Sequence, residues 1–142
     1  MKYIDNWDKV KARYEECWAL ENHDRPLLDI RTRKDNAKER EITHPATQYE
    51  RWTDADYIVR RTRAGLETTY FAGEAYPCVN PNLGPDIFGA SFGAEMIFEL
   101  GTSYSVPFIE DWDAAGELKV DPDNKWWKKI KEITNTERLK YY

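Results

Sequence analysis

Cysteine is scarce in this chain. Cys17 and Cys78 are the only two, too far apart in sequence to define a disulfide framework or a zinc ligand set. A reducing cytoplasm is the simplest expected setting. Long apolar runs are also missing: none approaches the ~18 residues of a membrane span, and Met1 to Asn6 has no signal-peptide core. Basic residues, 21 against 26 acidic, leave a net charge of -5 and form no stripe with interleaved aromatics, which argues against nucleic acid as a partner. The densest basic run, Lys125 to Lys131, reads as a solvated helix face. No phosphate loop, dinucleotide fingerprint or nucleophile elbow is present. Aliphatic residues are few as well, since Leu, Ile, Val and Phe together make 27 of 142 residues. That share borders on the disordered range.

Aromatic residues reverse that impression. The chain carries 6 Trp, 9 Tyr and 5 Phe, and each buried ring removes ~150–250 Å² from water. A folded core built on rings is expected, and 142 residues suit a single domain.

Periodicity predicts the elements. Trp7, Val10, Tyr14, Cys17 and Trp18 share one face of a helix from about Asp5 to Leu20. Arg25-Pro26 forces extended backbone, and Leu27 to Arg33 alternates as a strand. Lys34 to Gln48 is polar and unpatterned. Thr53-Asp54-Ala55-Asp56 resembles a capping box and opens a helix to about Phe71, with Gly73 as its stop. Tyr76 to Asn80 reads as a second, short strand, and Asp86 to Phe92 as a short helix after Pro85. Glu95–Leu100 and Ser103–Ile109 are further strand candidates. A last helix starts at Asp121-Pro122-Asp123, with Trp126, Trp127, Ile130 and Ile133 on one side. The alternation favours α/β architecture with parallel strands. Leu139 to Tyr142 is an apolar-aromatic run that reads as the lead into another strand, as though the chain were interrupted there.

Several residues could carry chemistry. Arg31 and Arg33 lie on one face of the first strand, an arrangement suited to clamping a carboxylate. The competing reading pairs Arg31 with Asp29 and leaves Arg33 in solvent. Asn80 and Asn82 stand at the end of the second strand, where α/β proteins place ligands, although Asn before Pro and Gly is also ordinary turn chemistry. Glu74 and Tyr76 read as turn or surface residues, and His23 and His44 as surface or capping histidines. Glu99, Glu110, Asp111 and Asp113 surround Trp112 in an acidic stretch that reads as a solvated loop rather than a cation site.

Val79-Asn80-Pro81-Asn82-Leu83-Gly84-Pro85-Asp86-Ile87-Phe88-Gly89, followed by Phe98-Glu99-Leu100-Gly101, resembles the uroporphyrinogen decarboxylase family. There the stretch runs roughly F-S-D-I-L-x-x-P-D-A-x-G, then F-E-x-G. Asp24-Arg25-Pro26 to Arg33 is similar to the family's first barrel strand. Trp52-Thr53-Asp54 and Asp123 to Trp127 look like an uncharacterised branch related to corrinoid methyltransferases. The resemblance spans nearly all of this chain but only the opening part of a family member. It implies an N-terminal portion of a TIM (β/α)8 barrel, a fold of ~250 residues. It implies arginines, here Arg31 and Arg33, that bind substrate carboxylates.

The family's catalytic aspartate falls on Asn80. A neutral amide cannot supply the charge that stabilises a cationic intermediate, so porphyrinogen decarboxylation is in doubt even for a complete homologue. By the resemblance, that homologue is a lyase or methyltransferase acting on a tetrapyrrole- or corrinoid-linked substrate or a corrinoid protein. Its zinc ligands, where it has them, lie in later strands. Residues 1–142 alone are expected to hold no cofactor, to be inactive, and to self-associate through an open sheet edge. The alternative is a self-standing anion-binding or interaction module without catalysis.

Overall fold

The computed structural model describes residues 1–141, with side chains as far as residue 136. The chain is mixed α and β: α1 (Trp7–Trp18), β1 (Asp29–Arg33), α2 (Gln48–Thr53), α3 (Ala55–Thr68), β2 (Thr69–Gly73), α4 (Ile87–Ser91), β3 (Met96–Phe98), β4 (Ser103–Ser105) and α5 (Lys125–Tyr141). Two compact units result, one of Met1–Glu41 with Arg61–Val79 and the other of Ile42–Arg60 with Asn80–Tyr142.

In the first unit β1 pairs with β2, Asp29 opposite Gly73 and Arg33 opposite Thr69. The pairing is antiparallel, not the parallel arrangement that the alternation suggested. The reason lies in α3, which passes at Thr68 directly into β2 with no loop to reverse the chain, so a βαβ crossover cannot form. The helix expected to reach Phe71 therefore stops earlier, where Thr68 and Thr69 turn their hydroxyls back onto helix carbonyls. Tyr76 to Asn80, expected as a strand, is irregular. Gly73 adopts φ +67, and a Cβ there would overlap the Leu28 carbonyl. On α1, Val10 is buried, and Trp7 and Tyr14 pack on the Tyr76 ring with centroids 5.6 and 5.4 Å away. Trp18, expected on the buried face, is 85 % exposed at the helix's last residue.

The second unit holds the larger core: Ala55, Tyr57, Ile58, Leu83, Ala90, Met96, Trp126 and Ile133. Thr47 and Glu50 form a reciprocal capping box that starts α2, an element not expected from the sequence. Asp54 then accepts the Tyr57 amide at 3.0 Å to start α3. β3 and β4 form an antiparallel hairpin, Met96 opposite Ser105. The Asn124 carboxamide oxygen accepts the Trp126 and Trp127 amides and caps α5. Trp126 and Ile133 are buried, whereas Trp127 is 44 % exposed, because neighbours one residue apart point about 100° from each other on a helix. The backbone stays helical through Tyr141, in place of the strand expected from Leu139 onward. Tyr142 lies outside the described residues. No helix among the described residues is long and apolar enough to cross a membrane.

Candidate functional site

The two arginines of β1 are each engaged. Arg31 donates Nε and Nη2 to the two Asp29 carboxylate oxygens, both at 2.8 Å, and Nη2 reaches Cys78 Sγ at 3.5 Å. These partners raise the Arg31 pKa, the Asp29 hydrogen bonds most of all. Arg33 pairs with Glu39 on the surface. The fork of Arg31, which could have gripped a carboxylate ligand, grips one from its own strand.

Asn80 and Asn82 belong to the second unit. Asn80 is exposed. Asn82 donates Nδ2 to the Asn80 carbonyl and accepts the Gly84 amide, both at 3.0 Å. Its amide is spent on holding a turn. That turn leads Leu83, fully buried, against the hairpin, where the Ser103 hydroxyl donates to the Leu83 carbonyl. Gly84 sits at φ +107, and a Cβ there would overlap the Ser103 side chain. Asp86 then accepts the Ser105 amide at 3.0 Å. Leu83 and Asp86 are thus each hydrogen-bonded to β4, with Gly84 in close approach to Ser103 between them.

Sequence reasoning missed the best-built polar centre. Glu74, read as a turn or surface residue, is 3 % exposed. Its carboxylate accepts Arg25 Nη1 at 2.8 Å, Arg25 Nη2, and the Leu28 amide at 2.9 Å, with Arg13 Nε at 3.8 Å. The Arg25 hydrogen bonds hold its carboxyl down at about 2 against an ordinary 4.5, with burial opposing. Arg13 also reaches Asp24 at 2.8 Å. No local sequence signal pointed to it: the turn at Gly73 brings the Glu74 amide onto the neighbouring strand, where Glu74 N donates to Leu28 O at 2.7 Å.

His44 is exposed, and its Nδ1 lies 2.7 Å from the hydroxyl of buried Tyr57. The acidic stretch is exposed at Glu99, Glu110, Asp111 and Asp113, and Asp111 turns onto the Asp113 amide at 2.9 Å. Beside it an open cavity of about 320 Å³ is lined by Phe88, Phe92, Val106, Phe108, Trp112 and Leu118, an apolar surface not foreseen from the sequence. Among the described residues no group of three or more His, Cys, Asp or Glu side chains could hold a metal ion. No family model, curated protein or solved structure matches the chain.

Proposed function

We propose that residues 1–142 form the opening part of a uroporphyrinogen-decarboxylase-like TIM barrel, acting in the cytoplasm on a small-molecule substrate. The complete homologue is a lyase or methyltransferase for a tetrapyrrole- or corrinoid-linked substrate, and residues 1–142 alone are inactive. One observation supports the reading. The two halves of the motif, 79–89 and 98–101, fold together: Leu83, Gly84 and Asp86 are fastened to Ser103 and Ser105, the strand that pairs with Phe98. This interlocking supports reading the two halves as one folded unit.

Within this reading Asn80 stands exposed at the position of the family's aspartate and supplies no charge. Methyl transfer therefore fits better than decarboxylation. Any zinc of the complete homologue would be held by residues other than those described, which offer no ligand group. Asp29 and Glu39 pair with Arg31 and Arg33, which counts equally against the alternative of a self-standing anion-binding module and against the carboxylate-binding role that the resemblance implies for these arginines.

The test compares residues 1–142 with the longest reading frame that contains them. Each is given methylcobalamin with a thiol acceptor and, separately, uroporphyrinogen. Demethylation of the corrinoid by the longer protein alone is the expected result. A stop codon after Tyr142 in the source gene, or neither activity in the longer protein, overturns the reading. Restoration of decarboxylation by Asn80→Asp would move the assignment from methyl transfer to a degraded decarboxylase.

A further inference from the structure

Strand β1 gives one edge to β2 and leaves the other unpaired. The Glu74 amide donates to Leu28 O and the Lys34 amide to Thr68 O, so the even-numbered positions along β1 aim their backbone groups at β2. Asp29, Arg31 and Arg33 aim theirs the other way, where no strand pairs with them among the described residues. All of β1 is exposed. On its even face Ile30 and, across the pair, Tyr70 are 49 and 55 % exposed. An open edge beside a half-bare apolar face is a template for another strand.

The sequence Asp29-Ile30-Arg31-Thr32-Arg33 selects that strand, because it complements itself when laid antiparallel about Arg31. Asp29 then faces the second copy's Arg33, and Arg33 faces the second copy's Asp29. These odd positions are the ones whose N–H and C=O groups point outward, so each facing pair exchanges main-chain hydrogen bonds both ways. Arg31 meets the second copy's Arg31, yet each brings its own Asp29 carboxylate at 2.8 Å. Arg33 likewise brings Glu39. Charge alternates from Glu39 through Arg33 to the second copy's Asp29 and Arg31. A parallel arrangement would instead set Asp29 against Asp29. Ile30 packs beside the second copy's Thr32 and continues the apolar strip.

We infer that β1 is a homodimerisation edge, which joins two copies into a four-stranded antiparallel sheet ordered β2-β1-β1-β2 about a two-fold axis at Arg31. The inference does not rest on the barrel reading, since it uses only residues of β1 and β2, and it concerns residues 1–142 alone, because closure of a complete barrel would pair this edge. Edge pairing buries little surface, which places the dimer among weak, transient interfaces.

Sedimentation equilibrium of the full chain tests it with two charge reversals, Arg33→Glu and Asp29→Lys. Each alone sets like charges opposite each other twice, and its dissociation constant is expected to rise roughly tenfold or more. Mixed in equal amounts, the two variants set opposite charges against one another at both 29/33 contacts, and association returns. Recovery in the mixture also shows that both variants are folded. A wild-type chain that stays monomeric at high concentration overturns the proposal. So does dimerisation untouched by either reversal, or a mixture that fails to recover.

Discussion

Glu74 and Arg25, 49 residues apart, meet through two hydrogen bonds, with Arg25 Nη1 to Glu74 Oε2 at 2.8 Å and Arg25 Nη2 to Oε1. The glutamate is buried and the arginine side chain 42 % exposed. One end of the pair is therefore dry and the other wet. The Leu28 amide takes up the Glu74 oxygen that faces the sheet, so the pair ties the segment before β1 to the end of β2.

Removing one partner is expected to hurt more than removing both. Glu74→Ala leaves Arg25 Nη2 and the Leu28 amide without their acceptor, Arg25 Nη1 keeping the Pro26 carbonyl, and should cost on the order of 2–4 kcal/mol in urea denaturation. The double variant Arg25→Leu, Glu74→Leu should recover part of that loss. A double variant as damaging as the sum of the singles would show that the two side chains do not stabilise the fold as a pair.

The same pair makes stability depend on acid. The folded-state pKa of Glu74 is depressed, to about 2 from 4.5, so its contribution is fully present above about pH 4.5. It is lost as the pH falls from there through about 2. With Arg25 partly in solvent, the amount lost is on the order of 1–3 kcal/mol. Glu74→Gln should flatten this limb of the unfolding curve between pH 5 and about 2, while the wild type slopes. Parallel slopes for both proteins would assign the acid sensitivity to other carboxylates.

Legibility in the sequence followed the range of the forces involved. The helices α1 and α5 were readable from apolar spacing and α4 from Pro85 and Asp86. The expected caps were not: Asn6 and Asp86 make no side-chain cap, Asn124 caps α5, and Asp54 rather than Thr53 starts α3. The α2 helix was missed although Thr47 and Glu50 have the spacing of a capping box, because it is only 6 residues long and borders a polar stretch. β2 was not readable, since Thr69 to Gly73 continues the helical spacing of Leu66 and is claimed for the sheet by Leu28 and Lys34, more than 30 residues upstream. Glu74 was hidden for the same reason. Its burial depends on Arg25, and no local pattern announces a partner at that distance. The Asp29–Arg31 pair and the Asn82 turn, both two-residue devices, were foreseen as alternatives.

Helix α1 ends on a strained residue. Leu20 has φ 60, the Leu20 amide donates to Cys17 O and the Glu21 amide to Glu16 O. This is a Schellman ending with leucine where glycine is preferred. The side chain is 84 % exposed and so gains little from packing. Leu20→Gly should therefore stabilise the chain by about 0.5–1 kcal/mol, the left-handed penalty outweighing glycine's greater freedom when unfolded. An unchanged or lower melting temperature would mean that the Leu20 side chain has work elsewhere.

Gly84 carries the opposite expectation. It combines φ +107 with a position where a Cβ would overlap the Ser103 side chain, whose hydroxyl is committed to the Leu83 carbonyl. Gly84→Ala must both strain the backbone and push Ser103 off its partner, so a loss of roughly 2–4 kcal/mol is expected. At Gly101, in the turn of the β3–β4 hairpin, a Cβ would meet nothing within 4 Å. Gly101→Ala should stay within about 0.5 kcal/mol of wild type. Chemical denaturation of the two variants side by side checks the pair. If Gly84→Ala also allows Ser103→Ala to be added at no further cost, the loss is traced to that one contact. The glycine of the motif would then be required by the hairpin it rests on, before any ligand is considered.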